Sequence, residues 1–134
     1  MTINKLLDSK LDSILEKHST HLYLGWVLFI ALITLIPGKS IPDIIDWNFL
    51  SLDKAIHFTL FSILSLLGSY SFSKASRPLI AALALSILLA VLYGTIIEYL
   101  QTMIPDRGFD YADLAANIGG ALVGGAYFLI RKRA

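Results

Sequence analysis

Charged residues divide the chain into four long apolar runs. Asp, Glu, Lys and Arg are absent from four stretches of 17 to 21 residues each. A helix needs about 20 mostly apolar residues to cross the hydrocarbon core of a bilayer. The runs are continuous rather than alternating, which argues against the strands of a membrane barrel. The pattern therefore predicts an all-α, polytopic membrane protein with four transmembrane helices. The predicted spans are about 21–37, 53–73, 78–101 and 112–130.

The first twenty residues follow a different pattern. Their apolar side chains recur at helical spacing, and charged side chains occupy the other faces. This pattern is typical of an amphipathic helix that lies on a membrane surface. We therefore expect an interfacial helix over residues 1–20, followed by a four-span membrane domain over 21–134. The apolar positions are Ile3, Leu6, Leu7, Leu11, Ile14 and Leu15.

Composition supports a bilayer rather than water as the solvent. Hydrophobic residues make up 56% of the chain and charged residues only 16%, with a mean hydropathy of +0.70. A soluble protein of 134 residues has a large surface to cover with polar groups. The net charge of +1 is too balanced for a nucleic-acid-binding protein. The absence of cysteine excludes disulfides and thiolate chemistry.

Basic residues predict the orientation of the chain. An even number of spans places both termini and the loop between spans two and three on one side. That side holds eight Lys and Arg residues, and the other side holds Lys39, Lys54 and Arg107. Under the positive-inside rule both termini lie in the cytoplasm.

Ionisable and amide side chains gather where three predicted spans reach the other, extracytoplasmic side. Span two starts there, span three ends there and span four starts there. Residues three or four positions apart share a helix face. Charged groups facing lipid cost free energy, so these side chains are expected to turn toward one another. The residues are Asp53, Lys54, His57, Glu98, Gln101, Arg107, Asp110, Asp113 and Asn117.

This set of residues supports several chemistries. His57 and Glu98 are candidates for a general acid or base, with Asp113 as a third catalytic candidate. Lys54 and Arg107 are suited to an anionic group such as phosphate. The remaining members are expected to contribute to ligand binding: Asp53, Gln101, Asp110 and Asn117.

A divalent metal cofactor is a weaker alternative, because no dense metal-binding motif is present. Its ligands would be His57, Glu98, Asp110 and Asp113. A structural role is also open. Asp110 can cap span four, and a fully hydrogen-bonded network can fix helix register without any turnover.

Small residues form a stripe along span four. Ala116, Gly120 and Gly124 lie four positions apart, and Gly-x-x-x-Gly spacing allows two helices to approach closely. We expect this stripe to pack on another span of the same chain. A homodimer is the alternative.

Three separated segments of the polar set resemble the VanZ-like family. They are D-K-A-I-H-F at 53–58, E-Y-L-Q at 98–101 and R-G-F-D-Y-A-D-L-A-A-N at 107–117. They match the family's D-K-x-x-H-F, E-x-x-Q and R-x-x-D-x-x-D-x-x-x-N in type, order and spacing. The resemblance covers roughly residues 22–130 and leaves the N-terminal helix outside.

The resemblance implies a small bacterial protein of the inner membrane and cell envelope. The family is named for a member linked to resistance against teicoplanin, a lipoglycopeptide that targets cell-wall precursors. Membrane lipids, and an anionic lipid-linked ligand at the polar residues, are the expected partners. The alternative is a non-enzymatic scaffold whose outer loops, 37–52 and 102–110, bind a partner membrane protein.

Overall fold

The fold is known from a computed structural model that describes residues 3–37 and 50–133. All regular secondary structure in that part of the chain is helical, as predicted. The helices are α1 (Ile3–Thr34), α2 (Leu50–Ser73), α3 (Leu79–Gln101) and α4 (Tyr111–Arg133).

Three of these helices are long and apolar enough to cross a membrane. They are α2 from Leu52 onward, α3 and α4, each with 22 or 23 residues in the apolar segment. Their bounds lie within three residues of the predicted spans 53–73, 78–101 and 112–130. The protein is therefore an all-α membrane protein with several apolar helices.

Helix α1 differs from the expected arrangement. The sequence predicts an interfacial helix over 1–20 and a separate span over 21–37, whereas the structure has one continuous helix of 32 residues. No proline lies between Ile3 and Thr34, and the one glycine there, Gly25, is in the interior of the helix. A change of polarity does not break a helix when every backbone hydrogen bond can still form. α1 is not among the helices that meet the criteria for a span.

Helix α2 lies at the centre of the packing and contacts the other three helices, most extensively α4. The stripe of small residues on α4 explains that close approach. A Cβ atom added at Gly120 would overlap the backbone carbonyl of Phe58, and one at Gly124 would overlap that of Ser62. The hydroxyl of Ser62 also donates to the carbonyl of Gly120 over 3.0 Å. The predicted packing of the stripe on a neighbouring helix of the same chain is what the structure shows.

The apolar core is built from side chains of all four helices. Polar side chains in it donate to backbone carbonyls of neighbouring helices. Trp26 Nε1 donates to the carbonyl of Leu60 over 2.9 Å, and the Tyr93 hydroxyl donates to that of Val27 over 2.6 Å. These bonds tie α1 to α2 and α3. The core residues are Ile30, Leu60, Phe61, Leu64, Ala90, Ile97 and Ala121.

A group of charged residues joins α1, α2 and α4 at the end that carries the chain termini. We call Asp12, Glu16, Tyr70, Arg131 and Lys132 the terminal cluster. Asp12 accepts from Arg131 over 2.7 Å and from the Tyr70 hydroxyl over 3.0 Å, and Glu16 pairs with Lys132. The Lys132 ammonium also lies 5.1 Å from the centroid of the Tyr70 ring. The first half of α1 is therefore fixed to the helical bundle by charge.

Candidate functional site

The nine polar residues singled out in the sequence lie at the opposite end of the bundle from the terminal cluster. α2 supplies three from its first turns, α3 two from its last turn, and α4 with its preceding loop the other four. We call this set the polar cluster. It consists of Asp53, Lys54, His57, Glu98, Gln101, Arg107, Asp110, Asp113 and Asn117.

Lys54 connects α2 to the start of α4. Its ammonium group lies 2.9 Å from Asp113 Oδ1 and 3.1 Å from Asp110 Oδ2. The side chain of Asp113 is 8% exposed, whereas that of Asp110 is 48% exposed and that of Lys54 24%. This part of the cluster is therefore a partly open rim.

Asp110 also caps α4. Its Oδ1 accepts from the backbone N–H of Ala112 over 2.7 Å, and its backbone carbonyl accepts from Leu114. The Ala112 hydrogen bond, aided by the ammonium group of Lys54, holds the pKa of Asp110 below its ordinary value. The capping role that the sequence left open for Asp110 is therefore present, together with its ion pair.

A buried floor lies beneath the rim. His57, Glu98 and Asn117 are at most 2% exposed. His57 Nδ1 lies 3.0 Å from Asn117 Oδ1 and 3.6 Å from Glu98 Oε1, and Glu98 Oε2 accepts from the backbone N–H of Asp110 over 3.3 Å. Within the described residues, Glu98 Oε1 and Asn117 Nδ2 have no hydrogen-bond partner.

Helix α3 packs closely against α2 and α4 at Gly94, next to this floor. A Cβ atom at Gly94 would lie 3.0 Å from the Phe61 ring and 3.2 Å from the Asn117 side chain. Gly94, one turn before Glu98, lets α3 come near enough for Glu98 to reach His57.

Gln101 and Arg107 contact the C-terminal end of α1. Both donate to the backbone carbonyl of Thr34, over 2.9 Å and 3.4 Å respectively. A helix C-terminus leaves carbonyl groups unpaired and carries partial negative charge, so a cation and an amide donor are favourable there. Thr34 was not singled out in the sequence. Its position just before Pro37-Gly38, where a helix must end, was the available indication.

The residues that could hold a metal differ in part from the expected set. Among the described residues, Asp53, His57 and Asp113 bring one ligand atom each to within 4.8 Å of one another. Asp53 was expected only as a ligand-binding residue. Glu98 and Asp110 lie outside this group, because Glu98 is on the Nδ1 side of His57 and Asp110 is occupied by Lys54 and the cap.

These features define a class: a small polytopic helical membrane protein with a buried ionisable cluster at one end of its bundle. The chain belongs to the VanZ/LLP1 family, which matches residues 8–132. The match starts well before residue 22, so most of α1 belongs to the family region, contrary to the expectation that the N-terminal helix lies outside. Comparison with curated proteins and with solved structures gave no match.

Proposed function

We propose that the polar cluster binds or processes an envelope lipid or a lipid-linked cell-wall precursor. One observation carries the proposal: Glu98 is fully buried, yet its Oε1 atom has no hydrogen-bond donor in the described part of the chain. A buried polar group without a partner costs about 1–3 kcal/mol. A cluster that only locked helices together would gain from satisfying every such atom. Glu98 is thus available to a ligand group or a transferred proton.

Rim and floor would have separate tasks in this proposal. Lys54 and Arg107 would attract an anionic group such as phosphate, and the half-exposed Asp110 is the carboxylate such a group would displace from Lys54. His57 and Glu98 would act as acid and base beneath it, and their facing atoms, 3.6 Å apart, would approach further when the ligand binds. Asp113 would hold Lys54 in position.

The proposal includes a placement in the bacterial inner membrane. Both termini would lie in the cytoplasm and the polar cluster at the outer face, because most Lys and Arg residues are at the end that carries the terminal cluster. The second half of α1, from residue 21, would be the fourth span. The first half continues the same helix from the cytoplasmic headgroup region, and it carries five exposed apolar side chains. These side chains are Ile3, Leu6, Leu7, Leu11 and Ile14.

A non-enzymatic scaffold is the second candidate, and one observation favours it. The carbonyl of Thr34 accepts from both α3 and the α3–α4 loop, so the cluster joins all four helices. In this case the outer loops would bind a partner protein. Of those loops, 102–110 is described, and 38–49 lies outside the described residues.

Mass spectrometry of co-purified lipids tests the ligand proposal. The protein is purified in mild detergent as wild type, Arg107→Gln and Glu98→Gln, beside the control Lys74→Met. Lys74 is a matched control because it lies past the other end of α2, where it donates to the backbone carbonyl of Lys17. We expect one phospholipid or polyprenyl-linked species to be enriched in wild type and control and lost from both cluster variants.

Equal lipid in all four folded samples would refute the ligand proposal. If the cluster variants instead failed to accumulate while wild type and control carried no enriched lipid, the scaffold would be the better explanation. Size-exclusion chromatography of each variant distinguishes these results.

A further inference from the structure

Three potential metal ligands face one another between α2 and α4. Asp53 and His57 lie one turn apart on α2, and His57 Nε2 is 4.0 Å from Asp53 Oδ1. Asp113 approaches from α4, and the three ligand atoms lie within 4.8 Å of one another. His57 and Asp113 are buried and Asp53 is partly exposed, so the three side chains are open to solvent on the Asp53 side.

The partners of His57 Nδ1 indicate which tautomer the neutral ring adopts. Nδ1 faces two oxygen atoms, Asn117 Oδ1 at 3.0 Å and Glu98 Oε1 at 3.6 Å. Two acceptors on that side favour a proton on Nδ1, which leaves the lone pair of neutral His57 on Nε2. Metal-binding histidines characteristically donate their second N–H to a carbonyl or carboxylate oxygen in this manner. The buried Nε2 thus presents a lone pair to two carboxylates.

The charge of the surroundings also favours a cation. The polar cluster contains four carboxylates and two cationic side chains. Both cations are engaged: Lys54 binds Asp110 and Asp113, and Arg107 donates to the carbonyl of Thr34. Acidic side chains therefore outnumber basic ones in the cluster, and a bound cation would offset that excess.

We propose that Asp53, His57 and Asp113 bind a divalent transition-metal ion. One imidazole nitrogen and two carboxylate oxygens match the preferences of Zn²⁺ and Mn²⁺ better than the all-oxygen sites of Mg²⁺ and Ca²⁺. Asn117 orients His57, and Lys54 orients Asp113 from outside the ligand shell. The proposal goes beyond lipid binding and does not depend on it.

Metal titration of the intact, detergent-purified protein tests the site. After removal of bound metal with a chelator, the protein is titrated with Zn²⁺, Mn²⁺ or Mg²⁺. Bound metal is measured by elemental analysis after desalting, and the unfolding temperature is followed in parallel. We expect about one Zn²⁺ or Mn²⁺ per chain with a rise in unfolding temperature, since a ligand that binds only the folded state stabilises it. Mg²⁺ should bind more weakly.

Variants separate this site from adventitious binding. His57→Gln and Asp53→Asn should each weaken affinity at least about tenfold. Asp53→Asn keeps the proposal testable if His57→Gln fails to fold, because the Asp53 side chain is 38% exposed. The control is the double variant His18→Gln/His21→Gln, which removes two exposed histidines on α1 and should bind as the wild type does.

The opposite pattern would overturn the site. Three results would each do so: no stoichiometric uptake by wild type, unchanged uptake by folded Asp53→Asn, or loss of uptake in the α1 double variant. Because lipid content is measured separately, wild-type protein that takes up no stoichiometric metal but still carries the enriched lipid would refute this site and leave the proposed function standing.

Discussion

Lys54 is the side chain that neutralises the start of α4, because its ammonium group lies within 3.1 Å of two carboxylates there. Its removal deprives the buried Asp113 of the ammonium group that it pairs with. Deleting the donor to a largely buried carboxylate leaves that carboxylate unsatisfied, which costs about 1–3 kcal/mol. We expect Lys54→Met to lower the free energy of unfolding by about 1–3 kcal/mol, measured by reversible unfolding in mixed micelles.

The double variant Lys54→Met/Asp113→Asn is the control for this prediction. It removes both charges, so most of the lost stability should return. The comparison variant Lys74→Met, at the exposed end of α2, should stay within about 0.5 kcal/mol of wild type. If Lys54→Met behaved like Lys74→Met, the ion pairs would contribute little.

Asp12 in the terminal cluster gives a pH-dependent contribution to stability. Burial raises the pKa of Asp12, but hydrogen bonds from Arg131 and Tyr70 outweigh it, and the pKa lies below its ordinary value of 3.8. A lowered pKa in the folded state stabilises the fold at pH values above the ordinary value. That contribution is lost as pH falls through the folded-state pKa.

Comparison of wild type with Asp12→Asn measures this contribution. Wild type should unfold at the higher temperature at neutral pH, and the difference should shrink below about pH 4. A difference independent of pH between 7 and 3 would show that the charge of Asp12 is not what stabilises the first half of α1.

The polar cluster could be predicted from the sequence only as a set of residues. Span direction and helical spacing place all nine at one end, and the structure brings them together there. The partners could not be predicted, because they depend on the rotation of each helix about its axis. Arg107, for example, donates to the carbonyl of Thr34, a partner that the sequence did not indicate. The ion pair between Asp12 and Arg131, which are 119 positions apart, was not predicted.

At the scale of the elements, the contact between α2 and α4 depends on two glycines. A methyl group at Gly120 would overlap the backbone carbonyl of Phe58, which cannot rotate away as a side chain can. We expect Gly120→Ala to force the helices apart and to cost about 1–3 kcal/mol of stability. Unfolding in mixed micelles and the yield of monodisperse protein measure the effect.

Gly25 on α1 is the matched control. A Cβ atom there meets nothing within 4 Å, and alanine favours a helix over glycine by up to about 1 kcal/mol. Gly25→Ala should therefore be neutral or stabilising. Equal effects of the two substitutions would mean that the approach of α4 to α2 is not sterically limited at Gly120.

Helix α1 shows why element boundaries are harder to predict than element types. The three spans α2 to α4 are each bounded by charges and turns, so their apolar runs mark their ends. In α1 the apolar run starts after Lys17, but nothing in the backbone ends the helix there. Lys132 and Arg131 bind Glu16 and Asp12, which supports the polar half of the helix from another part of the chain.

At the scale of the whole molecule, two charged ends are separated by one bilayer thickness. Lys54 belongs to the polar cluster and Lys74 to the terminal end, and twenty helical residues span about 30 Å. The hydrocarbon core of a bilayer is also about 30 Å thick. Lys74 donates to the carbonyl of Lys17 on α1. Residues 3–16 continue the same helix N-terminal to that level.

The orientation of these two ends decides which ligands can reach the polar cluster. The chain has no cysteine, so single cysteines can be introduced at Ser76 and Gly108, two exposed positions at opposite ends of the bundle. A membrane-impermeant maleimide applied to intact spheroplasts should label Gly108→Cys at the polar-cluster end and not Ser76→Cys. Both should react after detergent solubilisation. Labelling of Ser76→Cys alone would show that the polar cluster faces the cytoplasm. Its anionic ligand would then have to come from the inner leaflet or the cytosol, and an outer-leaflet precursor would be ruled out.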